Sequence, residues 1–194
     1  FGTIHVGKAE FYPLADAVEA AFLQSRKLVV EADITRDGGL ADIKSLINYP
    51  PTDSLDQHIP AELYARLNAQ LGPLGIPIRA ARTMKPYVIA GLLAIAEYQR
   101  LGYDMNRGVD AYLIEKARAA AKPILELESP RAQIEMLAGM PAELQEAFLE
   151  NALIALETKR SSMQVADMVK AWQSGDAKLM EEASAVANAG LRSQ

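Results

Sequence analysis

Lys27-Leu28-Val29-Val30-Glu31-Ala32-Asp33 decides the fold. Three consecutive apolar residues, two of them β-branched, run into two carboxylates one residue apart. Such a run suits a strand of a parallel sheet, covered on both faces. Upstream, Pro13 suits a first helical position, and Leu14, Val18, Ala21 and Phe22 fall on one helical face. Before that helix, Phe1-Gly2-Thr3-Ile4-His5-Val6 is short and β-tolerant. Strand, helix and strand imply parallel pairing through a right-handed crossover. Pro123-Ile124-Leu125-Glu126-Leu127-Glu128 is a third strand candidate. The expected fold is α/β, bordering on α+β, with a small mostly parallel sheet and a large helical component.

The rest of the chain reads as helix with short punctuation. Asp37-Gly38-Gly39 is a turn, Ala41 to Ile47 a short helix, and Tyr49-Pro50-Pro51 its stop. Pro60 to Leu71 carries Leu63, Leu67 and Leu71 at four-residue spacing, which predicts an amphipathic helix. Pro86 to Leu101 is a further helix, closed by Gly102. Gly108-Val109-Asp110 opens the next, with Asp110 read as its N-cap. Ser129-Pro130 starts another with Ser as cap. Helices then follow over Ala142 to Glu157, Ser161 to Trp172 and Ala177 to Ala189, the last introduced by Gly175-Asp176. Without repeats or a long linker, a single domain over 1–194 is expected.

Composition narrows the function. The chain has 194 residues, enough for one sizeable core, and 50% of them are hydrophobic, as in a helical globular protein. The net charge of −5 is spread along the chain without a basic stripe, which argues against nucleic acid as a partner. There is no cysteine, so disulfides and thiolate chemistry are excluded. The longest apolar run, Tyr87 to Ala96, is half of the roughly 20 residues that a membrane-spanning helix needs. It reads as a buried core helix. The sequence begins at Phe1, inside what reads as a strand, so a processed, trimmed or truncated product is expected.

In open parallel sheets, ligands bind beyond the carboxyl ends of the strands. Each candidate strand ends in residues able to bind metal or move protons: His5; Glu31 and Asp33; Glu126 and Glu128. Within each acidic pair the side chains share a face of their strand. A neutral imidazole beside carboxylates can hold a divalent metal that acidifies a bound water. The same carboxylates can serve as general acid or base. The plainer alternatives are a histidine bonded to a loop and carboxylates acting as helix caps. His58 sits in a polar loop and reads as surface. Trp172 lies on a helix face with Met168 and Val169 and reads as core or interface. Phosphate loop, nucleophile elbow and His-Glu-x-x-His helix are all absent from the sequence.

Gly2-Thr3-Ile4-His5-Val6 resembles the first Gly-x-x-His motif of the TraB/PrgY/GumN family, to which the Tiki metalloproteases are related. The texture is most similar to the GumN-like bacterial branch. Tyr12-Pro13-Leu14, Val29-Val30-Glu31-Ala32-Asp33, Pro60-Ala61-Glu62-Leu63-Tyr64, Lys85-Pro86-Tyr87, Gly108-Val109-Asp110, Glu128 with Gln133, and Gly175-Asp176 agree in order. The resemblance implies an α/β core like that of the erythromycin-esterase and ChaN-like proteins. It implies a metal-dependent hydrolase, with peptidase activity as one form. His5, Glu31 and Glu128 would be metal ligands, and Glu31 and Glu128 the acid–base residues. Gly2, Asp33, Glu126, Asp110 and Gln133 would support them. The metal would be manganese, cobalt or zinc, and the setting periplasmic or secreted.

The sequence also departs from the family pattern. The family places a strand before the first Gly-x-x-His, and an Arg-Asn segment and a second Gly-x-x-His nearer the C-terminus. None of these is in the 194 residues. The core is therefore expected to be incomplete at both ends and the fragment inactive, with exposed sheet edges that can pair into a homodimer. The competing expectation is a non-enzymatic binding or regulatory protein on the same scaffold, linked to exopolysaccharide production.

Overall fold

The computed structural model describes residues 2–33 and 43–188, the last five of these by backbone only. Among them, the residues of Phe1–Gly39 and Tyr98–Gln133 form one compact unit. Those of Leu40–Glu97 and Ile134–Gln194 form another.

The first unit holds the sheet. Strand β1 (Leu28–Val30) pairs in parallel with β2 (Ile124–Glu126), in the register Leu28 with Ile124, Val29 with Leu125 and Val30 with Glu126. Main-chain bonds continue the ladder: the N–H of Leu127 donates to Val30 O at 3.0 Å and that of Glu128 to Glu31 O at 2.9 Å. The fold is thus α/β with a small parallel sheet and a large helical component, as the sequence predicts.

Three details differ from the expectation. The parallel partner of β1 is the third candidate strand, not the first. Residues 2–6 form no ladder; their polar backbone is taken up by the loop before the next helix, where Val109 N–H donates to Ile4 O at 2.9 Å and Gly7 forms an isolated antiparallel bridge with Asp104. And β1 is not covered on both faces, because the sheet has only two strands among the described residues: Val30 is buried while Val29 is 49% exposed.

Helix α1 (Asp16–Gln24) starts three residues after Pro13, which therefore does not occupy the first helical position. Its Phe22 is buried with Leu14, Ile4, Val6 and Val30. Lys122 closes the helix: its Nζ donates to Phe22 O at 2.6 Å and Ser25 O at 2.5 Å, a cation on the negative end of the helix dipole. Helix α6 (Val109–Ala119) packs on both strands through this core.

The second unit is helical. Helix α2 (Lys44–Ile47) stops before Tyr49-Pro50-Pro51 as expected. Helix α3 (Ala61–Leu71) buries Leu63, Leu67 and Leu71, the stripe read from the sequence. The short α4 (Ile78–Ala81) leads to α5 (Pro86–Arg100), whose Ile89, Ala90 and Leu93 are buried, so the long apolar run is a core helix. Leu149 and Leu153 of α8 (Ala142–Glu157) complete the cluster with Leu55 and Ile59. Burying each such leucine stabilises by roughly 1.5–3 kcal/mol.

Helix α6 (Val109–Ala119) belongs to the first unit. Helix α7 (Pro130–Ala138) is capped by Ser129, whose Oγ accepts from Ala132 N–H at 3.1 Å. Helix α9 (Arg160–Ser174) ends at Gly175 in the left-handed region, φ 69°. Asp176 then caps α10 (Ala177–Asn188), its Oδ1 accepting from Lys178 N–H at 2.8 Å. No helix among the described residues is long and apolar enough to cross a membrane. The turn expected at Asp37-Gly38-Gly39 lies outside the described residues.

Candidate functional site

His5 is presented by a backbone seam rather than by a strand end. Gly108 sits directly against it: a Cβ built on Gly108 would lie 2.6 Å from the His5 carbonyl oxygen. Only a residue without a side chain allows that approach. The approach brings the first turn of α6 under His5. Asp110 is therefore not the N-cap; Gly108 holds that position, and Asp110 is the second helical residue.

Asp110 instead grips the seam. Its Oδ2 accepts from His5 Nδ1 at 2.8 Å and its Oδ1 from Thr3 Oγ1 at 2.6 Å. Because the partner is a carboxylate, Nδ1 carries the proton and Nε2 holds the lone pair. Nε2 has no hydrogen-bond partner among the described residues, and the side chain is 65% exposed. The bond to Asp110 raises the pKa of His5 above its ordinary value; burial opposes this, and the charges of Asp110 and Glu31 add to it. Burial pushes Asp110 up, but the bonds from His5 and Thr3 outweigh it and hold the carboxyl below its usual range.

Tyr12 buttresses the pair. Its hydroxyl donates to Arg107 O at 2.6 Å, and its ring stacks on Tyr112 of α6 with centroids 4.3 Å apart. Burial, then the charge of Asp110, push its phenol up to about 12. It is thus a neutral donor across the working range. Glu19 of α1 ties the same helix down, accepting from Tyr112 OH at 2.7 Å and pairing with Lys116.

The acidic residues named from the sequence separate into roles. Glu31 is exposed and close enough for its charge to act on His5. Asp33, which should share its face, is buried at 3% exposure and takes Arg118 at 2.7 Å on its Oδ2. Glu126 accepts from the Asp33 N–H at 2.8 Å, so it caps the backbone after β1. Glu128 is placed beside Glu31 by the main chain, and its carboxylate accepts from Gln133 at 2.9 Å. Gly2 has open space around it. Among the described residues no three histidine, aspartate or glutamate side chains stand together to hold a metal ion.

Thr3 and Tyr12 are the residues that sequence reasoning passed over. Thr3 lies two positions before His5, and that alternation was the available signal. His58, read as surface, is exposed, with its ring stacked on Tyr49 at a centroid distance of 4.2 Å.

The profile of the TraB/PrgY/gumN family matches residues 1–193. The chain belongs to this family. Two bacterial members of similar sequence, the "Uncharacterized protein YbaP" of Escherichia coli (strain K12) and that of Shigella flexneri, are each 30% identical to it over 141 residues. That stretch is 72% of this chain and 51% of each relative, so the chain spans about half the length of the curated relatives it matches. No solved structure matches. In this member of the TraB/PrgY/gumN family, residues 2–5 form the seam and Gly108-Val109-Asp110 supplies its anchor.

Proposed function

We propose that the protein is a hydrolase of the GumN type, working in the periplasm or outside the cell, and that it acts through His5. One observation carries the reading: Asp110 fixes the proton on Nδ1, leaving the Nε2 lone pair exposed in the field of Glu31. A histidine so held is a general base. Nε2 takes a proton from water as the water attacks a carbonyl, and Asp110 stabilises the imidazolium that forms. The raised pKa strengthens the base.

The same orientation suits a metal-binding histidine, whose second nitrogen is commonly fixed by a carboxylate. Catalytic zinc sites take three protein ligands. His5 and Glu31 offer two, and Glu128 does not join them. The described residues therefore do not complete a metal site. A metal-dependent form needs donors from elsewhere in the protein.

The incomplete donor set favours a second reading, a binding or regulatory protein on the same scaffold with a role in exopolysaccharide production. Replacing His5 by Asn in the full-length protein separates the two. Hydrolysis of peptide or ester substrates should fall by about 100-fold or more, the range for loss of a general base. Unchanged turnover, or no turnover in the parent, would favour the binding reading.

A further inference from the structure

The second unit contains a cavity of about 250 Å³ whose wall includes Tyr49, His58, Lys85, Ala142 and Gln145. Gln145 of α8 is only 8% exposed. Its amide nitrogen donates to Met140 O at 3.0 Å and to Ala138 O at 3.4 Å. Two carbonyl partners fix which end of the amide is nitrogen, so Oε1 is the end left over. Oε1 accepts no hydrogen bond among the described residues, yet it is not sealed inside the protein as Asn68 Oδ1 is. It therefore opens into the cavity that Gln145 lines. An acceptor so placed takes its donor from whatever fills the space.

His58 supplies a second acceptor. Its Nε2 lies 2.8 Å from both oxygens of Asp53. The carboxylate keeps the proton on that nitrogen, and the lone pair stays on Nδ1. The imidazole stacks on Tyr49 with the rings 5° from parallel, which gives the cavity a flat aromatic side. Burial, then Asp53, push the Tyr49 phenol up to about 12, so this side brings no negative charge of its own.

Two donors face these acceptors. The Lys85 ammonium forms no ion pair among the described residues. Its backbone is held by the N–H bond to Ile47 O at 3.0 Å. Ala142 is the first residue of α8, and its N–H has no partner among the described residues. The acceptors decide what these donors can hold. A carboxylate has no proton to give Gln145 Oε1 or His58 Nδ1. An organic cation would be repelled by Lys85. A neutral group that both donates and accepts satisfies the whole wall. A primary carboxamide has two N–H donors and two carbonyl lone pairs, matching two acceptors and two donors.

We infer that this cavity binds a small planar primary carboxamide, its N–H groups on Gln145 Oε1 and His58 Nδ1 and its carbonyl on Lys85 and the Ala142 N–H. The aromatic side calls for a flat body. The volume is slightly below the roughly 300 Å³ at which drug-sized pockets begin, so that body is a single ring. All contributing residues lie in the second unit, independently of His5.

Benzamide tests the inference by NMR titration of the whole chain. It should bind saturably at millimolar concentrations, shifting the resonances of His58, Lys85 and Gln145. Methyl benzoate keeps the ring and the carbonyl but has no N–H. It should bind at least about tenfold more weakly, because it strips water from Gln145 Oε1 and returns no donor. Benzoate, which also lacks the donor, should be weaker by a similar factor. Propionamide, with the same amide on an aliphatic body, should be weaker too, which sets a ring ligand apart from a glutamine or asparagine side chain. On Lys85→Met, benzamide should lose at least about threefold, since its carbonyl loses a charged donor. Far-UV circular dichroism and melting of that variant should match the parent, and Lys8→Met, on the first unit, should change nothing. Absence of saturable benzamide binding, equal binding of methyl benzoate, benzoate or propionamide, or undiminished binding to Lys85→Met would each overturn the inference. The ligand comparisons use the unaltered chain, so they decide the matter even if the variant fails to fold.

Discussion

Gly108→Ala tests whether the seam presents His5. The backbone there has φ −62°, which alanine adopts freely, so the substitution strains no torsion. It lowers the entropy of the unfolded chain and would by itself stabilise by about 0.4–1 kcal/mol. Sterics oppose that gain. The new Cβ would meet His5 O at 2.6 Å and His5 C at 2.7 Å, whereas ordinary contact begins at 3.4 Å, so the strand of backbone must retreat by about 0.8 Å. The obstacle is main chain and cannot rotate aside. Overpacking of this kind costs about 1–3 kcal/mol. The Val109-to-Ile4 bond, 2.9 Å in the native seam, contributes a further 0.5–1.5 kcal/mol or so if it breaks. The net expectation is destabilisation by about 1–3 kcal/mol in urea unfolding. A second readout is more specific. As the seam lifts, His5 Nδ1 leaves Asp110, and the imidazole pKa falls back towards its ordinary value, measured by NMR titration of the ring protons. A variant at least as stable as the parent, with His5 titrating unchanged, would refute the reasoning.

Two further tests address the site and the core. Asp110→Asn should lower the His5 pKa and make stability depend differently on pH. The folded pKa of His5 is raised, so its contribution is complete below the unfolded imidazole value and is lost as pH rises through the folded one. That of Asp110 is lowered, so its contribution is present above the unfolded carboxyl value and is lost as pH falls through the folded one. The parent's advantage should therefore peak in mildly acidic solution and narrow in alkali. With His5 65% exposed it should not exceed about 1 kcal/mol; an advantage independent of pH would contradict the ion pair. Leu67→Ala, at a fully buried position of α3, should cost about 2–5 kcal/mol in chemical unfolding, and a loss under 1 kcal/mol would place that side chain outside the core.

Local chemistry made much of this molecule legible. Leu63, Leu67 and Leu71 repeat along one face, and the helix buries them. Leu28-Val29-Val30 and Ile124-Leu125-Glu126 are short, β-rich runs bounded by helices, and they form the sheet. Ser129 and Asp176 cap the helices they precede. What was misread depends on contacts distant in sequence. Thr3-Ile4-His5 has the alternation of a strand, yet its backbone partner is the Gly108–Val109 loop. Asp110 has the composition of a cap, yet Thr3 and His5, 107 and 105 residues away, take its oxygens. Asp33 and Glu126 looked like ligands and are consumed by Arg118 and a backbone N–H. Residue type announces a carboxylate's capacity but not which donor reaches it first.

The bond between His5 and Asp110 also sets the order in which the protein would fail. It crosses a seam made of few hydrogen bonds, against an exposed imidazole, while the helices rest on fully buried leucines. Segments held so lightly open at lower free energy than the core. Mild heat or denaturant would therefore let the imidazole swing free while the helices are still intact. A sample can then keep its full helical signal and already have lost the orientation on which its chemistry depends.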